Sequence, residues 1–486
     1  MTHTIDTGPT TATPYRRRWI ALFVILAAEV MDLLDAMITT IAAPSIQTDL
    51  GGSSSMIQWL GAGYTMAMAV GLVTGGRLGD LYGRKRMFAI GVLGFTASSL
   101  LCGLALSPEM LIGARVLQGL FGAAMIPQGL GMIKEMFPPQ EMAAAMGAFG
   151  PVMALSTVAG PVLGGWLVDA DLFGTGWRMI FLINLPIGLL ALIGAISYLP
   201  ESRPSHAARL DLTGVGLVSA ALFLLIFPLV QGRDLGWPAW TFASMAASIV
   251  LFVLFGRHQS RKERAGGDPL VVMSLLRKRA FSGGLLTGVV FFSGMVGFSL
   301  VFGLYTQIAL GYDPLKAGLA GLPNAVGTLV GFIAVNASGL AQKAGRKLIH
   351  IGAIIMMAGV IGVGVTLDLA GMGVTPWQLA PALVVTGAGM SLIMAPFFDI
   401  VLAAVEPHES GTASGTLTAV QQLGSALGTA AIGTIFFGLL ERHWRFDETM
   451  RLTIWITVGM LAATFLTAFL LPLRARPEEP EKATQS

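Results

Sequence analysis

The chain has 486 residues, of which 54% are hydrophobic and 12% charged, and its formal net charge is +3. Soluble domains carry about 25% charged residues, so this composition excludes a water-soluble fold around one core. A net charge this small gives no indication of a nucleic-acid partner. We therefore expect a protein that uses lipid as its solvent and satisfies its backbone hydrogen bonds within helices.

Apolar stretches of about 20 residues predict an all-α integral membrane protein. They indicate fourteen transmembrane helices, at roughly 18–43, 57–77, 87–106, 110–134, 144–167, 178–199, 212–231, 238–255, 280–308, 317–340, 347–367, 377–401, 411–440 and 451–473. An even number of spans places both termini on the same side of the membrane.

The basic residues indicate which side that is. Of 30 lysines and arginines, 23 lie in tails and loops on the side of the termini, 6 lie on the opposite side, and Arg115 lies inside a span. Because basic loops stay in the cytoplasm, we expect both termini to be cytoplasmic and the protein to sit in the cytoplasmic membrane. Residues 16–18 are basic, but the stretch after them is too long and too acidic for a cleaved signal peptide.

Two glycine-containing patterns indicate an internal duplication. The charged loop 76–86 returns as 338–347, 262 residues later, with a glutamine in place of its acid. The glycine pair Gly160 and Gly164 returns 264 residues later. Repeats of this kind underlie alternating access in secondary transporters.

The duplication predicts two pseudo-symmetric six-helix bundles and a central helix pair. We expect a cytoplasmic tail at 1–17, an N-terminal bundle at 18–199, a linker with two additional transmembrane helices at 200–279, a C-terminal bundle at 280–473 and a cytoplasmic tail at 474–486.

The first span carries three acids, Glu29, Asp32 and Asp35, within a sector of about 120° on one helix face. An acid near the bilayer centre costs about 2.5–3.5 kcal/mol, so these side chains must face water, carry protons or be paired. At least one of them is a candidate proton or substrate site. The alternative is that Glu29 or Asp32 pairs with Arg115 in the fourth span.

The fifth span combines glycines and prolines. Glycines form a flat packing face, and prolines remove backbone hydrogen bonds and bend the helix. The positions concerned are Gly150, Pro151, Gly160, Pro161, Gly164 and Gly165.

Together these segments resemble the major facilitator superfamily, and within it the fourteen-span drug:proton antiporter family. The resemblance rests on the loop with Gly76, Asp80, Gly83, Arg84 and Lys85, on Arg115 with Gln118 and Gly119, on the span Gly150–Gly165, on Leu34–Pro44 and on Trp177–Gly188. It covers roughly residues 18–473.

The resemblance implies proton-driven export of amphiphilic, preferentially cationic, drugs or toxic compounds, and hence antibiotic resistance. It assigns Asp35 to proton or cation handling, Arg115 to proton coupling, and Asp80 with Arg84 to an interior gate. The glycine-proline span would take part in the exchange of substrate for protons. Glu29 and Asp32 precede the family signature segment Leu34–Pro44 and are not part of it. Asp399 is either a second carboxylate in the cavity or an interface residue hydrated from the cytoplasm.

Other functions stay open at this point. They are a dedicated exporter of one antibiotic or other natural product, a proton-coupled uptake transporter, and a membrane enzyme or receptor. The sequence shows no metal-ligand spacing, nucleotide loop or nucleophile–base arrangement, so we expect no enzyme activity, no catalytic residue, no metal and no cofactor. The expected partners are small molecules, protons and the lipid bilayer, with no nucleic acid.

Overall fold

The protein is described from a computed structural model, which covers residues 15–138, 141–142, 144–145, 148–201, 210–403, 405 and 410–474. Within these ranges the regular structure is helical. The helices of fifteen residues or more are α1 (Arg18–Leu50), α2 (Ser54–Tyr82), α3 (Arg84–Gly103), α4 (Pro108–Met136), α5 (Phe149–Asp169), α6 (Asn184–Tyr198), α7 (Leu212–Gln231), α8 (Ala239–Arg264), α9 (Arg279–Leu304), α10 (Pro314–Ser338), α11 (Arg346–Ala370), α12 (Pro376–Leu402), α13 (Ser410–Glu441) and α14 (Phe446–Thr467). Shorter helices lie at Met179–Leu182, Met273–Arg277 and Leu340–Ala344.

Most of these helices are fit to cross a bilayer. In the described part of the chain, eleven helical segments are long and apolar enough, and twelve if the bent helix α2 is one span. Helices α1 and α5 are not in that set, and α1 carries several charged residues in its first half. The expectation of an all-helical, multi-pass membrane protein is confirmed, and the count of fourteen crossings stays a prediction.

Helix α1 is longer than its apolar stretch predicts. The stretch ends at residue 43, but the helix continues through Pro44 to Leu50 and stops before Gly51, whose φ is +72°. Pro44 has no backbone N–H, so one backbone hydrogen bond is missing inside the helix, the one to the carbonyl oxygen of Thr40.

The helices pack in two groups. Among α1–α6, both α2 and α3 pack on α4, while α6 packs on α1 and α3, and α5 packs on α1. Among α9–α14, both α10 and α11 pack on α12, while α14 packs on α9 and α11, and α13 packs on α9. The two groups meet where α2 packs on α13 and where α5 packs on α10.

Helices α7 and α8 pack on each other at the outside of this arrangement, with α7 against α2 and α13. The polar stretch 256–279, which ends the predicted linker region 200–279, is partly helical and is held by hydrogen bonds. The side-chain oxygen of Gln259 accepts from the Leu270 amide at 2.6 Å. The guanidinium of Arg77, from α2, donates to the carbonyl oxygen of Asp268 at 3.2 Å.

Asp211 holds the start of α7 against the end of α8. Its carboxylate accepts from the Gly214 amide at 3.1 Å, contacts His258 at 2.9 Å and accepts from Gln259 at 2.8 Å. Burial raises the pKa of Asp211, but these hydrogen bonds and Lys262 lower it further, to about 2. The carboxylate is therefore ionised and fully engaged at neutral pH.

We expect Asp211→Ala to lower the free energy of unfolding by about 1–3 kcal/mol, because it removes a helix cap and leaves buried donors unpaired. Thermal unfolding in detergent measures this loss. Asp313→Ala is the matched control, since the exposed Asp313 caps α10 through the Lys316 amide at 2.6 Å and its other described side-chain neighbour is the carboxyl group of Asp169. Equal losses for both variants would contradict the role given to the Asp211 contacts.

Candidate functional site

A buried ion pair joins α1 to α4. The Nη1 atom of Arg115 donates to Oδ2 of Asp35, and both side chains are about 1% exposed. The Nε atom of Arg115 also donates to the Leu60 carbonyl oxygen of α2 at 3.2 Å. An unpaired charge at this depth would be strongly destabilising, so each of these two side chains requires the other.

Two amides and a hydroxyl complete the surroundings of this pair. Gln118 and Asn184 both donate to Oδ1 of Asp35, at 2.8 and 2.7 Å. Gln118 also donates to the Ser99 hydroxyl at 2.9 Å. We call Asp35, Ser99, Arg115, Gln118 and Asn184 the Asp35 cluster. It joins α1, α3, α4 and α6, and both carboxylate oxygens of Asp35 accept hydrogen bonds within it.

Asp32 lies beside the cluster with a different partner. The Tyr64 hydroxyl donates to its Oδ1 atom, and the Tyr64 ring centroid is 4.3 Å from the guanidinium carbon of Arg115. Asp32 is 5% exposed. Glu29 is half-buried, and no donor to its carboxylate occurs among the described residues. Of the three acids, only Asp35 makes an ion pair with a cation in the part of the chain that the structure describes.

The interpretation that Glu29 or Asp32 pairs with Arg115 is therefore wrong, since the partner is Asp35. Spacing places the three acids on one face but does not give the depth of Arg115. Six residues along a helix amount to about 9 Å, so Glu29 and Asp35 lie at different levels. Sequence reasoning also missed Asn184 and Ser99. The available signal was a lone asparagine in an apolar span, which is costly unless it is paired.

The loop between α2 and α3 reduces to one residue, Gly83, whose φ of +96° strongly favours glycine. The next residue, Arg84, forms ion pairs with Asp80 at 3.2 Å and with Glu135 of α4 at 2.7 Å. These side chains are partly exposed. The sequence prediction of an acid–guanidinium contact at this loop matches the observed pair.

Two other positions of this motif have different surroundings. Lys85 donates to the Ile196 carbonyl oxygen at 2.7 Å and so holds α3 against the end of α6. Gly76 lies inside α2, where an added Cβ would come no closer than 3.8 Å to Pro127. Gly76 is therefore not required by close packing in this conformation.

In α5, Gly160 and Gly164 face α1. A Cβ atom on Gly160 would lie 2.7 Å from Cβ of Met37, and one on Gly164 would lie 3.0 Å from Cγ2 of Ile38. Both distances are too short for a side chain without movement of the helices. For Gly150 and Pro151, only their place in α5 is described.

The other side of α5 meets α10. Pro161 contacts Gly318 through its carbonyl group, and Gly165 contacts the backbone at the start of α10. A carboxylate oxygen of Asp169 accepts from the Leu315 amide at 2.9 Å. Helix α5 therefore packs against α1 of its own group and against α10 of the other group.

A cavity of about 240 Å³ lies between the two groups of helices. Helices α1, α2, α9, α10 and α12 contribute to its wall, and Arg115 borders it. Apart from Arg115, none of the lining residues described is ionisable. The remaining polar groups are threonine hydroxyls, Ser299 and Asn324.

Asp399 lies elsewhere. It is half-buried near the end of α12, and among the described residues none donates a hydrogen bond to its carboxylate. It is not part of the Asp35 cluster or of the described cavity lining.

Comparison with known proteins identifies the family. The family model of the Major Facilitator Superfamily matches residues 25–429. The chain belongs to this superfamily. Its fold agrees with that of a D-xylose–proton symporter, with a TM-score of 0.66 at 15% identity over 94% of this chain and 98% of the other.

Relatives with related sequences are antibiotic or multidrug transporters. The chain is 54% identical to the "Probable actinorhodin transporter" of Streptomyces coelicolor, over 88% of this chain and 74% of the relative. It is 33% identical to the tetracenomycin C resistance and export protein of Streptomyces glaucescens, over 86% and 76%. It is 32% identical to the multidrug resistance protein Stp of Mycobacterium tuberculosis, over 85% and 74%.

Proposed function

We propose that this transporter exports an antibiotic or a related natural product across the cytoplasmic membrane in exchange for protons. The observation that carries this proposal is the 54% identity to the "Probable actinorhodin transporter" over 88% of the chain. Broad multidrug export is the second candidate, favoured by the 32% identity to the multidrug resistance protein Stp. The higher identity favours a dedicated exporter.

The proposed topology has fourteen crossings with both termini in the cytoplasm, the domain boundaries given above, and two pseudo-symmetric bundles. Helices α1 and α5, with 33 and 21 residues, are long enough to cross a bilayer. The packing pairs of α1–α6 recur among α9–α14 in the same order. In this correspondence α2 matches α10 and α5 matches α13. The contact of α2 with α13 therefore matches the contact of α10 with α5.

Alternating access would then be a rocking of the two bundles about these two contacts. The substrate would occupy the cavity between them. Arg84, with Asp80 and Glu135, would control opening at the end of the bundle where α2 meets α3. The glycines of α5 would allow α1 and α10 to slide past it, because Gly160 and Gly164 add no side chain to the contact with α1 and Gly165 adds none to the contact with α10.

For proton coupling we propose different roles for the three acids of α1. Asp35 is already engaged by Arg115 and by the side-chain amides of Gln118 and Asn184, and its role is to hold Arg115. Asp32 has one neutral donor, Tyr64, and Glu29 has none among the described residues. A proton can therefore bind to Asp32 or Glu29 without breaking an ion pair. Tyr64 links this event to Arg115, because it touches both Asp32 and the guanidinium.

Export can be tested in everted membrane vesicles and in a sensitive host. We expect vesicles with an acidified lumen to accumulate actinorhodin or tetracenomycin C, and a protonophore to abolish this accumulation. Cells expressing the protein should resist one such compound and stay sensitive to ethidium. Resistance to many unrelated cations would instead support multidrug export, and accumulation in intact cells would support uptake. Vesicles from cells with the empty vector are the control.

We expect Asp80→Asn to leave the fold intact and to reduce transport several-fold. Arg84 keeps its 2.7 Å ion pair with Glu135, and partly exposed pairs contribute only about 0–1 kcal/mol. The initial rate of vesicle uptake and the unfolding midpoint together measure this. Arg445 and Asp447 form an exposed pair at 3.0 Å, so Asp447→Asn is the control. A wild-type rate with Asp80→Asn would exclude a gating role.

A further inference from the structure

The charge of the central cavity is unusual for a site that would bind cationic drugs. Among its described lining residues, the one ionisable side chain is Arg115, and Asp35 balances that charge from behind. Glu29 and Asp32 do not line it. A bound cation would lose its hydration here and gain no counter-charge in return.

One polar group of the wall lacks a partner. Asn324 lies on α10 directly after Pro323, and its side-chain oxygen is buried without a hydrogen bond to any described residue. Its backbone carbonyl is already engaged by the Thr328 hydroxyl at 2.9 Å. Buried polar atoms are nearly always paired, so an unpaired acceptor oxygen at the wall of a cavity is suited to a hydrogen-bond donor of a ligand.

Most of the remaining wall is apolar and adaptable. Met295, Met356 and Met390 border the cavity from three helices of the C-terminal group. Methionine side chains are flexible and polarizable and pack well against aromatic rings. Besides its threonine and serine hydroxyls, the wall therefore combines an apolar surface for a ring system with one buried acceptor oxygen that has no partner among the described residues.

We propose that the cavity selects uncharged or anionic aromatic ligands and discriminates against cations, with the side-chain oxygen of Asn324 accepting a hydrogen bond from a donor group of the ligand. The proposal rests on the proposed export function and names the class of its substrate. It differs from the cationic preference that the family resemblance implies. The discrimination against cations comes from the lining, because none of its described residues offers a carboxylate to a bound cation.

Two probe ions of nearly the same shape and opposite charge test the discrimination. We expect purified wild-type protein in detergent to bind tetraphenylborate at least as tightly as tetraphenylphosphonium, measured by equilibrium dialysis. Asn324→Asp places a carboxylate at the cavity and should shift the ratio of the two dissociation constants toward the cation by about tenfold or more. Asn336→Asp is the matched control, because Asn336 lies exposed on the same helix, and should leave the ratio unchanged.

A ligand with hydrogen-bonding groups tests the proposed hydrogen bond to Asn324. With Asn324→Leu, binding of actinorhodin should weaken about tenfold, the scale of one neutral hydrogen bond. Binding of tetraphenylborate, which has no hydrogen-bonding group, should change little. Asn336→Leu should affect neither ligand.

Several outcomes would overturn the proposal. They are a wild-type preference for tetraphenylphosphonium, equal shifts for Asn324→Asp and Asn336→Asp, and equal weakening of both ligands by Asn324→Leu. The wild-type comparison needs no variant, so it decides even where a variant fails to fold. Failure of the export function gives a different result. In that case the vesicles show no transport, although the purified protein still binds tetraphenylborate at least as tightly as tetraphenylphosphonium.

Discussion

Asp35→Asn is expected to lower both the folded yield and the transport rate. The substitution leaves Arg115 buried at about 1% exposure without its counter-charge. Breaking a buried pair from one side costs about 3–5 kcal/mol, which is a large part of the stability of most proteins. Fluorescence-detected size exclusion and thermal unfolding measure the fold, and vesicle uptake measures transport.

The double variant Asp35→Asn/Arg115→Gln separates the two effects. Removing both charges should recover much of the folded yield, because no uncompensated charge remains. Transport should stay absent, since Arg115 no longer lies beside Tyr64 and the cavity. A double variant no more stable than Asp35→Asn would show that the ion pair does not account for the loss.

Asp32→Asn should give the opposite combination, a normal fold without proton-driven transport. The asparagine oxygen can still accept from the Tyr64 hydroxyl, and no cation loses a partner. The pH-driven uptake rate should fall by about tenfold or more, while exchange of labelled for unlabelled substrate without a pH gradient persists. Uptake and exchange in the same vesicles measure the two processes.

Two further variants test whether the effect is specific to Asp32. Glu29→Gln tests the neighbouring acid of the same helix face, and loss of coupling there alone would move the proton site from Asp32 to Glu29. Asp399→Asn, on α12, should keep both pH-driven uptake and exchange. Wild-type pH-driven uptake by Asp32→Asn and by Glu29→Gln would place the coupling outside α1.

Much of the architecture follows from the sequence. Runs of about 20 apolar residues require helices in lipid, whatever their neighbours. The order of the long helices therefore follows from the positions of these runs in the sequence. The turn at Gly83 is predictable for a similar reason, because its positive φ is a local backbone conformation. The ends of the helices were less predictable. Helix α1 extends past Pro44 to Leu50, although the apolar run ends at residue 43.

The functional site depended on the tertiary structure. The sequence determined that three acids share one face of α1 and that Arg115 needs a partner, because charge within a span is costly. Which acid meets Arg115 was decided by the relative depth of α1 and α4. That Asn184 completes the Asp35 cluster was decided by the packing of α6 on α1 and α3. That Asn324 borders the cavity without a partner was decided by the rotation of α10, since a single polar residue does not show which way its helix face points.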